Sequence, residues 1–164
     1  MGYDMRMVVE PTTGDGYLQL NLGGMGRLYE AMQQLGMLYD SRPPGPWPPS
    51  PGAHIEEIAY QLAYGEPTHA TSEELRQARD YTETRRRHLR AHPRGGHAIP
   101  GHKFFTNDGW IVTPDEIKAA LSAYEAAGAG AAERLLSTQN ELNYWDRWIA
   151  YLRRAVDHEG FEVH

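Results

Sequence analysis

The densest run of structural signals in the chain is the stretch of residues 102–117, HKFFTNDGWIVTPDEI. Aromatic and β-branched residues stand on both sides of Asn107-Asp108-Gly109, a turn tripeptide whose residues tolerate positive φ. The pattern therefore predicts a tight hairpin with one strand on each side. Thr113 then suits a helix N-cap, Pro114 suits the first helical position, and Glu116 completes a capping box.

Near the start of the chain, alternating apolar residues predict two strands, Tyr3–Val9 and Tyr17–Leu22, which we expect to form a hairpin. A closing strand from Phe161 is expected to pair with 110–112. Helical periodicity predicts five helices: one after the Gly23–Gly26 bend, then Ala53–Tyr64, Thr71 to about His88 or Ala91, one opened by Thr113, and about 138–157.

These elements predict an α+β fold, with a small, mostly antiparallel sheet packed on one face by four to five helices. The helix that carries Trp145 and Trp148 is the expected centre of the core. A Pro-rich loop at 43–52, with Trp47 as its anchor, cannot be helix or central strand. The length of 164 residues favours a single domain over 1–164.

Composition excludes several classes of function. The chain has no Cys, which rules out disulfides, thiolate nucleophiles and Cys-based zinc sites. It has no apolar run long enough to span a bilayer, and its start lacks the basic and apolar regions of a signal peptide. We therefore expect a cytoplasmic protein without membrane contact. No cofactor motif is present, and no catalytic residue is assigned.

Four segments carry a resemblance: MGYDM at 1–5, LNLGGMG at 20–26, the central Lys103-Phe104 with Asn107–Trp110, and the ending YWxxWIxYL at 144–152 with HxGFxV at 158–163. In these segments the chain resembles a set of small uncharacterised proteins of actinobacteria and their phages. The resemblance covers most of the chain and implies one coherent fold. It implies no activity, substrate or site residue.

Charge is distributed unevenly. Residues 76–103 hold eight Arg and Lys against two acidic residues, a net +6, which leaves −12 for the rest of the chain. Arginine forks bind oxyanions bidentately, so this segment predicts contact with an acidic or phosphate-bearing partner. The ordinary alternative is a solvated helix end. The predicted contact residues are Arg85, Arg86, Arg87, Arg90, Arg94, His97, His102 and Lys103.

A competing hypothesis is a small metal-dependent hydrolase. His88 and His92 are four residues apart, a spacing that places both imidazoles on one helix face, and His102 is a third candidate ligand. Pro93 argues against it, because the helix is expected to end there. A third possibility is a structural or defence-related protein whose acidic face meets a basic partner.

Two local motifs have stronger structural than chemical explanations. The glycines of 23–26 resemble a phosphate-binding turn, but neither the Walker lysine nor the third glycine of a dinucleotide fingerprint is present. Asp108 and His102 near the predicted hairpin suggest acid–base chemistry, although turn geometry alone explains Asn-Asp-Gly.

Overall fold

The computed structural model describes residues 2–65 and 69–164. The sequence predicts one domain over 1–164. By their internal contacts the residues form two compact units, which we call the sheet unit (Met1–Pro43 and His92–His164) and the helical unit (Pro44–Ala91).

The regular elements follow in chain order. They are β1 (Gly2–Met7), β2 (Tyr17–Asn21), α1 (Leu22–Gln34), β3 (Leu38–Tyr39), α2 (Ala53–Ala63), α3 (Ser72–Arg90), β4 (Ile99–Pro100), a 3-10 helix (Gly101–Phe104), β5 (Trp110–Val112), α4 (Pro114–Ala126), α5 (Gln139–Ala155), a second 3-10 helix (Val156–His158) and β6 (Phe161–Val163). Each helix in residues 2–65 and 69–164 is too short or too polar to span a bilayer.

The main sheet of the sheet unit has four antiparallel strands in the order β2-β1-β6-β5. Met5 lies opposite Leu18 on one side and Val163 on the other, so the predicted hairpin of the first two strands is confirmed. Val112 lies opposite Phe161, which confirms the pairing of the closing strand with 110–112. The predicted α+β class with an antiparallel sheet is therefore correct.

The core of the sheet unit lies between one face of this sheet and helices α1, α4 and α5. Met5 and Met7 point inward from β1, as the period of two requires, and α5 contributes Trp145, Trp148 and Leu152. The Trp148 indole N–H lies 3.2 Å from the Met32 sulfur of α1. The prediction that the tryptophan helix forms the centre of the core is confirmed.

Side-chain caps fix the starts of α1, α3, α4 and α5. The Thr113–Glu116 capping box at α4 and the Thr71–Glu74 box at α3 form as predicted. Helix α1 begins earlier than expected: Asn21 caps it by accepting from the Gly24 amide at 2.7 Å. The glycines predicted as a bend therefore lie in the first turn of α1.

The hairpin predicted at 102–112 does not form, because the segment before the Asn107–Gly109 turn is not a strand. Residues Gly101–Phe104 form a 3-10 helix, and only Trp110–Val112 is a strand, whose partner is β6. Both Lys103 and Phe104 are buried in this segment. Gly109, with φ of 81°, still makes the turn into the strand.

The helical unit consists of the Pro-rich segment followed by α2 and α3. Its small core is made of Ile55, Ile58 and Ala59 from α2 and Ala78 from α3. Trp47 is 44% exposed, and its ring lies 4.9 Å from that of His88 on α3. The Pro-rich segment has no helix or strand, as predicted.

Candidate functional site

The predicted contact residues are divided between the two units. Arg85, Arg86, Arg87 and Arg90 lie on the last two turns of α3 in the helical unit, a group that we call the basic end of α3. Arg94, His97, His102 and Lys103 lie in the sheet unit.

The basic end of α3 faces solvent. Arg85, Arg86 and Arg87 are exposed and Arg90 is half-buried. The N-terminal part of the helix is different, because Arg76 is held by Glu73 at 2.6 Å and by Asp80 at 3.1 Å. From residue 82 onward α3 has four Arg and a single acid, Glu83, which pairs with Arg87 at 3.0 Å.

Helix geometry spreads these cations. Successive residues on an α-helix are separated by roughly 100°, so Arg85, Arg86 and Arg87 point in three directions around the axis. Their positive charge also lies at the C-terminal end, where it complements the helix dipole. The arrangement is therefore a cationic tip rather than a flat basic face.

An aromatic pair adjoins this tip. His88, one turn after Arg85, packs against Trp47. Burial lowers the pKa of His88, which favours the neutral imidazole. At neutral pH His88 thus extends the Trp47 surface rather than the positive charge.

Arg94 and His97 are exposed in the segment that follows His92. The His97 ring stacks on Tyr39 with centroids 5.4 Å apart. Both side chains are therefore accessible to solvent.

Lys103 does not fit the predicted contact surface, because its side chain is fully buried. Its ammonium donates to both carboxylate oxygens of Glu116, at 2.7 and 2.8 Å, and to the Ile111 carbonyl at 2.7 Å. Burial lowers the pKa of Lys103, and the Glu116 carboxylate acts in the opposite direction. All three ammonium protons are used inside the protein, so Lys103 has a structural role.

His102 is also an interior residue, only 2% exposed. Its Nδ1 lies 2.8 Å from the Ser41 hydroxyl, and its ring meets Trp110 edge to face at 4.7 Å. The contact surface predicted from 85–103 is therefore reduced to the residues before His102.

The metal hypothesis for His88, His92 and His102 is not supported by the geometry. His92 Nδ1 contacts Glu116 at 2.8 Å, and His102 is engaged by Ser41. Within 2–65 and 69–164, no group of three or more His, Asp or Glu side chains is placed to hold a metal ion. Sequence spacing placed His88 and His92 on one helix, but α3 ends at Arg90.

An interior charge network was missed by sequence reasoning. It runs from Lys103 through Glu116 to His92, which is 36% exposed. The Glu116 carboxylate also accepts from the Thr113 amide at 2.8 Å. The capping box was a visible signal for Glu116, but nothing in the sequence indicated that a lysine would be buried against it.

The two local motifs have structural roles. A cleft of about 260 Å³ adjoins Gly23 and Gly24, but Asn21 and Glu141 already accept amides at the helix starts there. Arg27 in that cleft lies 3.5 Å from Glu141. At the other motif, Asp108 accepts from the Thr106 hydroxyl.

Comparison of the chain with known proteins finds no matching family model, curated protein or solved structure.

Proposed function

We propose that the protein is a binding protein that engages a short acidic segment of a partner protein through the basic end of α3. One observation carries the proposal: the last two turns of α3 hold four Arg against one acid, on a chain of net charge −6. Three of the four side chains are exposed.

The chemistry of arginine favours an oxyanion partner. Its planar guanidinium presents paired N–H donors that match a carboxylate or a phosphorylated side chain. Arg86 forms no ion pair with an acidic residue in the described part of the chain, whereas Arg87 is paired with Glu83. A partner carboxylate can therefore be bound without first breaking an ion pair at Arg86.

The radial spread of the arginines favours a flexible partner. A peptide chain can wrap around a helix end and reach side chains that point in different directions, which a rigid duplex cannot do. The acidic remainder of the chain also repels a long polyanion, because like charges are unfavourable within a Debye length of about 10 Å. Both features favour a short acidic peptide over nucleic acid.

The direct test is charge reversal with a charge-matched control. The variant Arg85→Glu/Arg86→Glu/Arg87→Glu is titrated against a fluorescent oligoglutamate peptide and against a phosphoserine peptide. The control is Arg147→Glu/Arg153→Glu/Arg154→Glu on α5, whose three arginines are also exposed. Both variants change the net charge by the same amount.

We expect the α3 variant to lose at least about tenfold in affinity, since each exposed charge pair contributes up to about 1 kcal/mol. The α5 control should retain most of the wild-type affinity for the peptide. Equal losses in the two variants would mean that only net charge matters, and the proposed surface would be wrong. Preferential binding of an oligolysine probe would favour the alternative of an acidic interaction face.

A separate variant addresses the exposed segment that contains Arg94 and His97. The variant Arg94→Glu tests whether the exposed segment of the sheet unit takes part. A loss of affinity comparable to that of a single α3 reversal would show that the exposed segment of the sheet unit also binds the peptide.

A further inference from the structure

A cleft of about 290 Å³ in the sheet unit has an unusually aromatic lining. Its residues come from β1, from α1 and from the end of the first 3-10 helix, and they are Tyr3, Met25, Gly26, Tyr29, Glu30, Phe104 and Phe105. Four of the seven are aromatic, and the single charged residue is an acid.

The fold builds the walls of this cleft from fixed positions. Met25 and Tyr29 are one helical turn apart, so they share a face of α1. Phe104 is buried, and its ring lies 6.1 Å from Trp148. Phe104 therefore lines the cleft from a position that the core holds in place.

Phe105 is the residue that the fold alone does not explain. Its side chain is 56% exposed, although it follows the buried Phe104 directly. Its ring lies 5.7 Å from that of Tyr29 with a tilt of 34°, and its amide donates to the His102 carbonyl at 3.1 Å. The ring is therefore held at the mouth of the cleft rather than in the core.

The Glu30 carboxylate lines the cleft and is its one charged group. Its Oε2 lies 3.3 Å from Arg27, which stands one turn away on α1 and outside the lining. The pKa of Tyr29 is raised by burial and then by the negative charge of Asp40. No Lys or Arg lines the cleft. Aromatic faces and a nearby carboxylate together attract a cation and repel an anion.

We propose that this cleft binds a small quaternary ammonium compound, with Tyr3, Tyr29 and Phe105 against its methyl groups and Glu30 near its charge. Such a cation is too weakly hydrated to resist desolvation, and ring quadrupoles interact with it through their faces. The small volume of the cleft favours a free small molecule over a long chain. This site is separate from the basic end of α3 and does not depend on the function proposed there.

The experiment uses choline chloride as the probe and 3,3-dimethyl-1-butanol as its matched control. The two molecules have the same shape, but the alcohol has carbon in place of the charged nitrogen. Binding is followed by amide NMR shifts in the intact protein, with sodium chloride added to equalise ionic strength. We expect choline to shift residues 25–30 and 104–105, and the alcohol to bind at least about tenfold more weakly.

Protein variants test independently which side chains bind choline. Phe105→Ala and Glu30→Gln should each weaken choline binding severalfold, because one removes a ring and the other a charge. Both side chains are exposed, so we expect the fold to persist. Tyr60→Ala, which removes an equally exposed aromatic ring from the helical unit, should leave choline binding unchanged.

Three results would overturn the proposal. These are equal binding of choline and the alcohol, absence of shifts with choline, and unchanged choline affinity in Phe105→Ala. Tighter binding of a trimethyl-lysine peptide than of choline would contradict the assignment to a free small molecule. The triple α3 charge reversal should leave choline binding intact, so failure of one proposal is distinguishable from failure of the other.

Discussion

The Lys103 ammonium and the Glu116 carboxylate form a buried ion pair in which the hydrogen-bonding capacity of both groups is well used. The ammonium has three donors and three acceptors around it, two from Glu116 and one from Ile111. The carboxylate accepts in addition from the Thr113 amide and contacts His92. Breaking such a pair is costly because it leaves a charge without a partner in the interior.

We predict that Lys103→Met destabilises the protein by about 3 to 5 kcal/mol, since Glu116 is then buried without its ammonium partner. Adding Glu116→Gln should recover much of this loss, because the amide is neutral and keeps an oxygen for the Thr113 N–H. Chemical denaturation of the single and double variants measures both effects.

The matched control is Lys118→Met on the exposed side of α4, which should change the free energy of unfolding by less than about 0.5 kcal/mol. If Lys103→Met were as stable as this control, the ion pair would not have the structural role described for it.

At the scale of the element, the helix caps are the features that sequence predicts best. Thr71 with Glu74 and Thr113 with Glu116 have the spacing of a capping box. Because the two partners are only three residues apart, the contact can be predicted without knowing the tertiary fold. Helix starts at these sites are therefore correct to within one residue.

The Thr71–Glu74 box also predicts a pH dependence. The Thr71 amide, the Thr71 hydroxyl and His54 together lower the pKa of Glu74 to about 2. Because the pKa is lower in the folded state, the contribution of Glu74 to stability is fully present above its ordinary pKa of 4.5. It is lost as the pH falls through about 2.

An acid titration followed by the amide NMR signals of Thr71 and Glu74 should show the loss of the cap in that range. Glu74→Gln should abolish this transition, whereas Glu57→Gln on α2 should leave it in place. If the transition persists in Glu74→Gln, it must arise from the titration of another group.

The conformation of short apolar runs was predicted less well. An apolar run as short as 104–105 fits a strand or a tight helical turn equally, and the choice depends on what lies beneath it. Here the turn buries Lys103 against Glu116, and a lysine is rarely buried unless it is paired. For the same reason, the sequence could not show that His102 and Lys103 lie inside.

At the scale of the whole molecule, charge asymmetry was visible in the sequence because it requires only counting. The aromatic cleft was not visible, because Tyr3, Tyr29 and Phe105 come from three distant segments that the fold brings together. The separation into two units was also hidden, since both have helices with ordinary apolar periodicity.

The four tryptophans provide a test of this architecture. Trp110, Trp145 and Trp148 are at most 1% exposed, whereas Trp47 is 44% exposed. We predict that iodide quenches the fluorescence of Trp47 alone, so that Trp47→Phe removes nearly all quenchable emission. Substantial quenching in Trp47→Phe would show that the core of the sheet unit is open to solvent.

We expect an acidic peptide to bind at the basic end of α3. The most direct measurement is an amide NMR titration of the whole protein with the oligoglutamate peptide. We predict that the largest shifts fall on residues 84–91 at the end of α3, and that they weaken steeply with added salt. Shifts concentrated elsewhere, or spread evenly over the exposed arginines of α3 and α5, would contradict the proposed surface.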